Sequence, residues 1–349
     1  MKLAIALLAL AISATAQTYK FSVLHPFRTG SDGNEPMGTI VLDQAGNLWG
    51  TTQGGGSYEL GILWELEAQT HKEVIKRFNS HNGSHPEAGI AGSGIYYGTT
   101  QTGGGDKCNC GTVFQVVNGV QSAVYVFKNG ADGEWPNQGI QVDGAGNLYG
   151  VSTGGLFEIT GGKLQMLYTS GVGSFAVDAN GNIFFIDGSE ALEELGVGVL
   201  YQFPENSAPT GIAVSTDGLT VTGITQSGGQ GWGSVWEWSQ QTGETDLYDF
   251  PPSDDDLDSP ETPVTFDGNG NAFGVIQMSG PAHKTFGAVY EVQLGMSNPP
   301  TVLHQFSGMN DGYWPEGPVI LDANGNIYGT ASAGGKYLRG TVFELAVVQ

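Results

Sequence analysis

The chain has 349 residues, with 57 Gly, 12 Lys+Arg against 35 Asp+Glu, and a formal net charge of −23. So few cations exclude binding to nucleic acid or to an anionic membrane surface, both of which need clustered Lys and Arg. Hydrophobic residues at 39% are enough to build a core, which excludes disorder, and the glycines follow no Gly-X-Y period, which excludes collagen.

Residues 1–16 read as a secretory signal, with Lys2, an apolar run over 3–12, and Ala14-Thr15-Ala16 as the cleavage site. That run is too short for a membrane helix, which needs ~20 residues, and no later run is longer. The remainder, 17–349, is expected to be secreted or periplasmic, without membrane insertion.

A repeat then dominates the chain. Its first copy reads Ile40-Val41-Leu42-Asp43, Gln44-Ala45-Gly46-Asn47, Leu48-Trp49-Gly50-Thr51-Thr52, followed by a glycine-rich link and Leu63-Trp64-Glu65-Leu66. The Asp-x-x-Gly-Asn signature returns at 143–147, 178–182, 267–271 and 322–326, with degenerate copies at 92–98 and 216–223, which makes seven units. Each unit holds four strand-like runs; in the second these are 88–91, 95–101, 112–117 and 122–128. Asp-x-x-Gly-Asn suits a four-residue hairpin loop with Gly in the left-handed position.

Four-stranded units of about 36 to 55 residues predict an all-β fold, a seven-bladed β-propeller forming a single domain over 17–349. A parallel β-helix is the rival, but its coils are shorter and lack hairpin turns. Residues 19–27 match the fourth run of other units, such as 301–306, whereas 340–345 match a third run. The N-terminal strand is therefore expected to complete the last blade and close the ring, removing a loose sheet edge.

The Gly-Asn-Leu-Trp/Tyr-Gly core at 46–50 and 146–150 and Gly-Thr-Val-Phe-Glu-Leu at 340–345 resemble the tandem repeat of bacterial choice-of-anchor GloVer proteins. The Phe-x-x-Gly-x-Asp-Gly-x-x-Pro segments at 27–36 and 127–136 fit the same pattern. The hairpin core is also similar to NHL-class propeller repeats. The resemblance implies an exported bacterial repeat protein with no established activity. It departs from the family name in that no sorting or anchoring segment is read after Gln349.

Strand alternation puts the hairpins on one face and the glycine-rich links and inter-blade loops on the other. The second face is longer-looped and is the better binding candidate. It carries Trp135, Trp314, Trp232, Tyr58 and Tyr337, with Asp132, Glu134, Asp311 and Glu316 nearby. Aromatic rings pack on sugar C–H faces while carboxylates accept hydroxyl hydrogen bonds, so these residues suit a glycan. The competing reading is that each Trp before Pro packs under its own loop. Glu65, Glu158, Glu237, Glu291 and Glu344 recur once per unit, as do Asp43, Asp143, Asp178, Asp267 and Asp322, and both sets read as structural.

No metal site and no cofactor are expected. The hairpin loops lack the spacing and distant Glu of a calcium loop, and the acidic insert 254–258 reads as a solvated loop. His25 and His304 share one repeat position, which a structural role explains. Cys108 and Cys110 read as a local disulfide, with an unpaired pair or a metal or redox pair as alternatives. No catalytic residue is identified. The expected function is a monomeric binding or interaction module for a glycan or a cell-surface protein. The alternatives are an exported polysaccharide hydrolase or lyase with carboxylates at the propeller axis, or a structural cell-surface repeat protein.

Deleting residues 19–27 is expected to remove the closing strand and lower the melting temperature with loss of cooperativity. Unchanged cooperative melting of that deletion would contradict ring closure.

Overall fold

The smallest repeated device is the Asp hairpin. Asp43 Oδ1 accepts the Ala45 and Asn47 N–H groups, both at 2.8 Å, and Oδ2 accepts Asn47 Nδ2–H at 2.9 Å. The same three bonds recur at Asp143, Asp178, Asp267 and Asp322. The turn closes through glycine in the left-handed region, as at Gly46 (φ 84°) and Gly146 (φ 85°), which any Cβ would strain. A ring donor reaches the same carboxylate from the next strand at Trp49 Nε1 (3.2 Å), Tyr149 OH (3.0 Å) and Tyr328 OH (3.3 Å). These aspartate oxygens are thus satisfied within the hairpin. Burial opposes their ionisation, but the summed hydrogen bonds outweigh it, so Asp43, Asp143, Asp267 and Asp322 lie below the usual carboxyl range.

In the computed structural model, the described residues are 17–348 except 29, 106–107, 170, 216, 228–231, 251–259, 261, 278–285 and 297. The proposed signal at 1–16 and the acidic insert 254–258 lie outside them. The hairpins organise seven four-stranded antiparallel sheets, one per blade. Blade 1 runs from Val41–Leu42 at the axis through Leu48–Thr52 and Ile62–Leu66 to Glu73–Arg77 at the rim. Blade 7 consists of Ile320–Leu321, Ile327–Ala331, Thr341–Val347 and, at its rim, Tyr19–Pro26 from the other end of the chain. Their antiparallel register runs from Tyr19↔Val347 to Pro26↔Thr341, so the N-terminal strand completes the last blade and closes the ring.

The core is divided among the seams between blades. Seven buried clusters each draw on two neighbouring blades, as where Trp64 of blade 1 meets Val342 of blade 7. At the centre of each sheet one cross-strand pair recurs: Gly50↔Trp64, Gly98↔Phe114, Gly150↔Phe157, Gly223↔Trp236, Gly274↔Tyr290 and Gly329↔Phe343. In all six the aromatic ring lies where a Cβ on the glycine would stand. Blade 4 solves the same space differently, with Ile186 opposite the smaller Leu192.

Gly150→Ala drives a methyl into Phe157 and Ile140, so a loss of about 1–3 kcal/mol in urea unfolding is expected. The exposed Gly188→Ala, which meets only Gly171 O at 3.9 Å, is the control and should change stability by less than about 0.5 kcal/mol. Equal effects would refute the packing account. Because the folded-state value of Asp143 is lowered, its contribution is present above the unfolded value and lost as pH falls through the folded one. The stability difference between wild type and Asp143→Ala should thus be full above about pH 4 and shrink below it. A pH-independent difference would contradict the hairpin assignment.

Candidate active site

The loops that enter blades 1, 3 and 7 are folded by their own aspartates. Asp32, Asp132 and Asp311 accept the N–H groups of Arg28 (2.8 Å), Lys128 (3.1 Å) and Ser307 (2.9 Å). Phe27, Phe127 and Phe306 anchor the start of each loop in the core. At the far end Pro36, Pro86, Pro136 and Pro315 lie over Gly340, Gly61, Gly111 and Gly287, where a side chain would collide with the ring.

The residue before each proline is held in the same way. Glu35, His85, Trp135 and Trp314 donate their N–H groups to the carbonyls of Arg339, Leu60, Cys110 and Phe286, at 2.9–3.2 Å. All four adopt the left-handed region, at φ 57°, 56°, 52° and 57°. Left-handed backbone is uncommon for bulky residues and costs of order 1–3 kcal/mol, a strain that clusters at functional sites. The packed Phe, Pro and Gly contacts hold it in place.

These residues stand on four consecutive loops in the order Trp314, Glu35, His85, Trp135. Trp135 is 50% exposed, Trp314 38%, and Glu35 is also exposed. Half-buried His85 shares a hydrogen bond between Nδ1 and Thr102 Oγ1 at 2.9 Å. The equivalent slot before blade 5 holds Ala208, also left-handed but without functional groups. Two residues further along, after each proline, stand Glu316, Met37, Glu87 and Asn137.

Glutamines at the ends of the second strands tie this inner row together. Glu87 accepts from Gln53 Nε2 at 2.5 Å and from Gln101 Nε2 at 3.3 Å, bridging blades 1 and 2. Glu316 accepts from Gln277 Nε2 at 2.6 Å. Burial pushes the Glu316 carboxyl above its usual range. The Glu35 carboxylate adds to that shift, while hydrogen bonds from Ser332 and Gln277 oppose it. Two carboxyls that act on one another, one of them shifted upward by burial, are the raw material of an acid–base pair.

Of the residues singled out from sequence, Trp135, Trp314 and Glu316 stand in this arc. Glu134 borders it and exchanges hydrogen bonds with Thr153 through its backbone. Asp132 and Asp311 serve as loop braces, also bonded to Tyr125 OH (2.9 Å) and His304 Nε2 (3.2 Å). Trp232 packs against the core between blades 5 and 6. Tyr58 is exposed on the link of blade 1, and Tyr337 lies under the Arg28 guanidinium on the link of blade 7. Sequence reading passed over Glu35, Glu87, Gln53, Gln101 and Gln277. The signal was available: Glu, His, Trp and Trp fill one repeat slot between an invariant glycine two residues earlier and an invariant proline.

The recurrent strand glutamates stay on the hairpin side, where Glu158 accepts from Tyr149 OH at 3.2 Å. Cys108 and Cys110 are joined by a disulfide below the Trp135 loop. A cavity of about 360 Å³ opens beside Trp135, lined also by Gln101, Asn137 and Gln138. A larger one of about 510 Å³ opens on the hairpin face, but its Asp267 and Asp322 are already committed to their turns. Among the described residues, the one grouping of His, Asp and Glu close enough to share an ion lies away from the arc, at the rim between blades 7 and 1. No helix among them is long and apolar enough to cross a membrane.

Comparison with solved structures gives the same architecture. A catalytically inactive virginiamycin B lyase from Staphylococcus aureus, solved with quinupristin, aligns with a TM-score of 0.61 at 13% identity over 95% of this chain and 100% of that one. The extracellular domain of a one-component system from Bacteroides thetaiotaomicron aligns with a TM-score of 0.58 at 11% identity over 95% of this chain and 42% of that one. At these identities the likeness is one of fold. No curated protein matches the chain. The Gloeobacter/Verrucomicrobia repeat matches residues 10–182. The matched stretch carries the first three blades and the start of the fourth in a chain that folds as a seven-bladed propeller.

Proposed function

We propose that the chain is an exported glycoside hydrolase acting on a neutral polysaccharide, with residues 1–16 as its signal and 17–349 as its single domain. The observation that carries this reading is the arc flanked by Trp314 and Trp135, on which burial and then the Glu35 carboxylate shift the Glu316 carboxyl upward. In the proposed reaction, Glu316 gives its proton to the departing glycosidic oxygen. Glu35 takes a proton from the water that attacks the anomeric carbon, the division of labour of a two-carboxylate glycosidase. His85, oriented through Nδ1, and Glu87, fixed by two glutamines, supply polar contacts to sugar hydroxyls. The tryptophans are the platforms for flanking sugar units. A hydrolase is favoured over a lyase because polysaccharide lyases act on uronates, and a net charge of −23 repels polyanions.

Release of reducing ends from a panel of neutral polysaccharides is the test. Glu316→Gln is expected to lower kcat by about 10²–10⁴-fold with KM little changed, and Trp314→Ala to raise KM. Since the active form of Glu316 is the protonated one and its titration is shifted upward, wild-type activity should fall as pH rises through that shifted value. Unsaturated products would instead identify a lyase. Binding without turnover, unaffected by Glu316→Gln but lost in Trp135→Ala and Trp314→Ala, would establish a glycan-binding module.

A further inference from the structure

The seam between blades 7 and 1, where the chain closes the ring, contains three donors from three separate segments. His25 lies on the closing strand Tyr19–Pro26, Asp32 in the loop into blade 1, and Glu73 on the rim strand Glu73–Arg77. His25 Nε2 is 3.5 Å from Asp32 Oδ2 and 3.7 Å from Glu73 Oε2, and all three donor atoms lie within 4.8 Å of one another. An ion with tetrahedral bonds of about 2.1 Å would hold its donors about 3.4 Å apart, close to this spacing.

The site is buried: the side chains of His25, Asp32 and Glu73 are 13%, 10% and 13% exposed. Even so, His25 Nε2 and Glu73 Oε1 have no hydrogen-bond partner, although both are closed off from solvent. Leaving such atoms unsatisfied costs roughly 1–3 kcal/mol each, more where a charge is involved. Burial and the facing Asp32 carboxyl push Glu73 upward, and a cation joining the three groups would relieve the same cost. Arg28 is the basic side chain that acts on Glu73 across the loop.

The repeat shows that the third donor is an addition. His304 and Asp311 form the same His–Asp pair between blades 6 and 7, at 3.2 Å. There the next rim strand brings Phe21, stacked flat on His304 with ring centroids 3.6 Å apart. Phe21 pairs with Leu345 and Glu73 with Leu66, corresponding residues of the two third strands. One position in the repeat thus holds an apolar lid at one seam and a carboxylate at the next. The carboxylate converts a braced histidine into a three-donor cluster.

We infer that His25, Asp32 and Glu73 bind a divalent first-row transition ion, with Zn²⁺ the best geometric match, and that the ion fastens the closing strand to blade 1. One imidazole and two carboxylates are a zinc donor set, to which a water would add the fourth ligand. The mixed nitrogen and oxygen donors, too few for the six to eight oxygens of calcium, argue against Ca²⁺.

The test is titration of the metal-stripped full-length chain with Zn²⁺ by calorimetry, together with thermal melting. Wild type should bind one Zn²⁺ per chain and melt at higher temperature when loaded. Glu73→Gln should weaken binding by about tenfold or more. Glu73→Phe, which copies the arrangement of Phe21 over His304, should stay folded by circular dichroism, bind no Zn²⁺ at this site and show no metal-dependent shift in melting. Absence of stoichiometric binding by wild type overturns the inference, as does binding of unchanged affinity in both variants.

Discussion

A glycine facing an aromatic ring across two strands is the contact on which the rest of the propeller depends. The ring needs the volume that a side chain would occupy, and the glycine surrenders it, so each sheet stays thin at its centre while its neighbours close in from both sides. Trp64, Phe114, Phe157, Trp236 and Phe343 are fully buried by this arrangement and feed the seams between blades. Interiors pack at near-crystalline density, so the pair cannot be enlarged on one side without loss on the other. Blade 4 supports the point from the opposite direction, since a smaller partner at Leu192 coincides with Ile186 in the glycine slot.

The same contact sets where function can reside. With blade centres fixed, the loops into blades 1, 2, 3 and 7 are held at equivalent positions, each entering its blade through a proline seated on a glycine. The residue before that proline is forced into left-handed backbone regardless of its identity. Its side chain is therefore free to vary while its position is not. Trp314, Glu35, His85 and Trp135 occupy this slot on four neighbouring loops, while Ala208 occupies it on a fifth. Side chains at one backbone position thus give neighbouring loops different chemistry. The closure seam follows the same logic, with Glu73 in the place that Phe21 fills one blade earlier.

The architecture was legible because it is periodic. Asp-x-x-Gly-Asn fixed the hairpins, the third-run end of the chain fixed the phase, and the closing strand followed from both. The hairpin aspartates were also readable as braces, since their partners lie two and four residues away. The candidate site was only partly legible. Trp135 and Trp314 stand out because tryptophan is rare, and Glu316 because it follows one of them. Glu35, His85 and Glu87 look like ordinary loop residues until the loops are superposed, since they come from units far apart in sequence. The His25–Asp32–Glu73 cluster was hidden for a related reason: its histidine matches His304, and its third donor arrives from another blade. Asp132 and Asp311 carried the opposite difficulty, because a carboxylate beside an aromatic residue looks available until its backbone partners are seen.

The central claim is that chemistry is concentrated on the four-loop arc of the long-looped face. A crystal structure of the Glu316→Gln variant soaked with a neutral oligosaccharide tests it most directly. The account predicts sugar density running from Trp314 past Glu35 and His85 to Trp135, with a glycosidic oxygen beside residue 316. Density on the hairpin face, in the cavity between Asp267 and Asp322, or bound only away from the four loops, would contradict it.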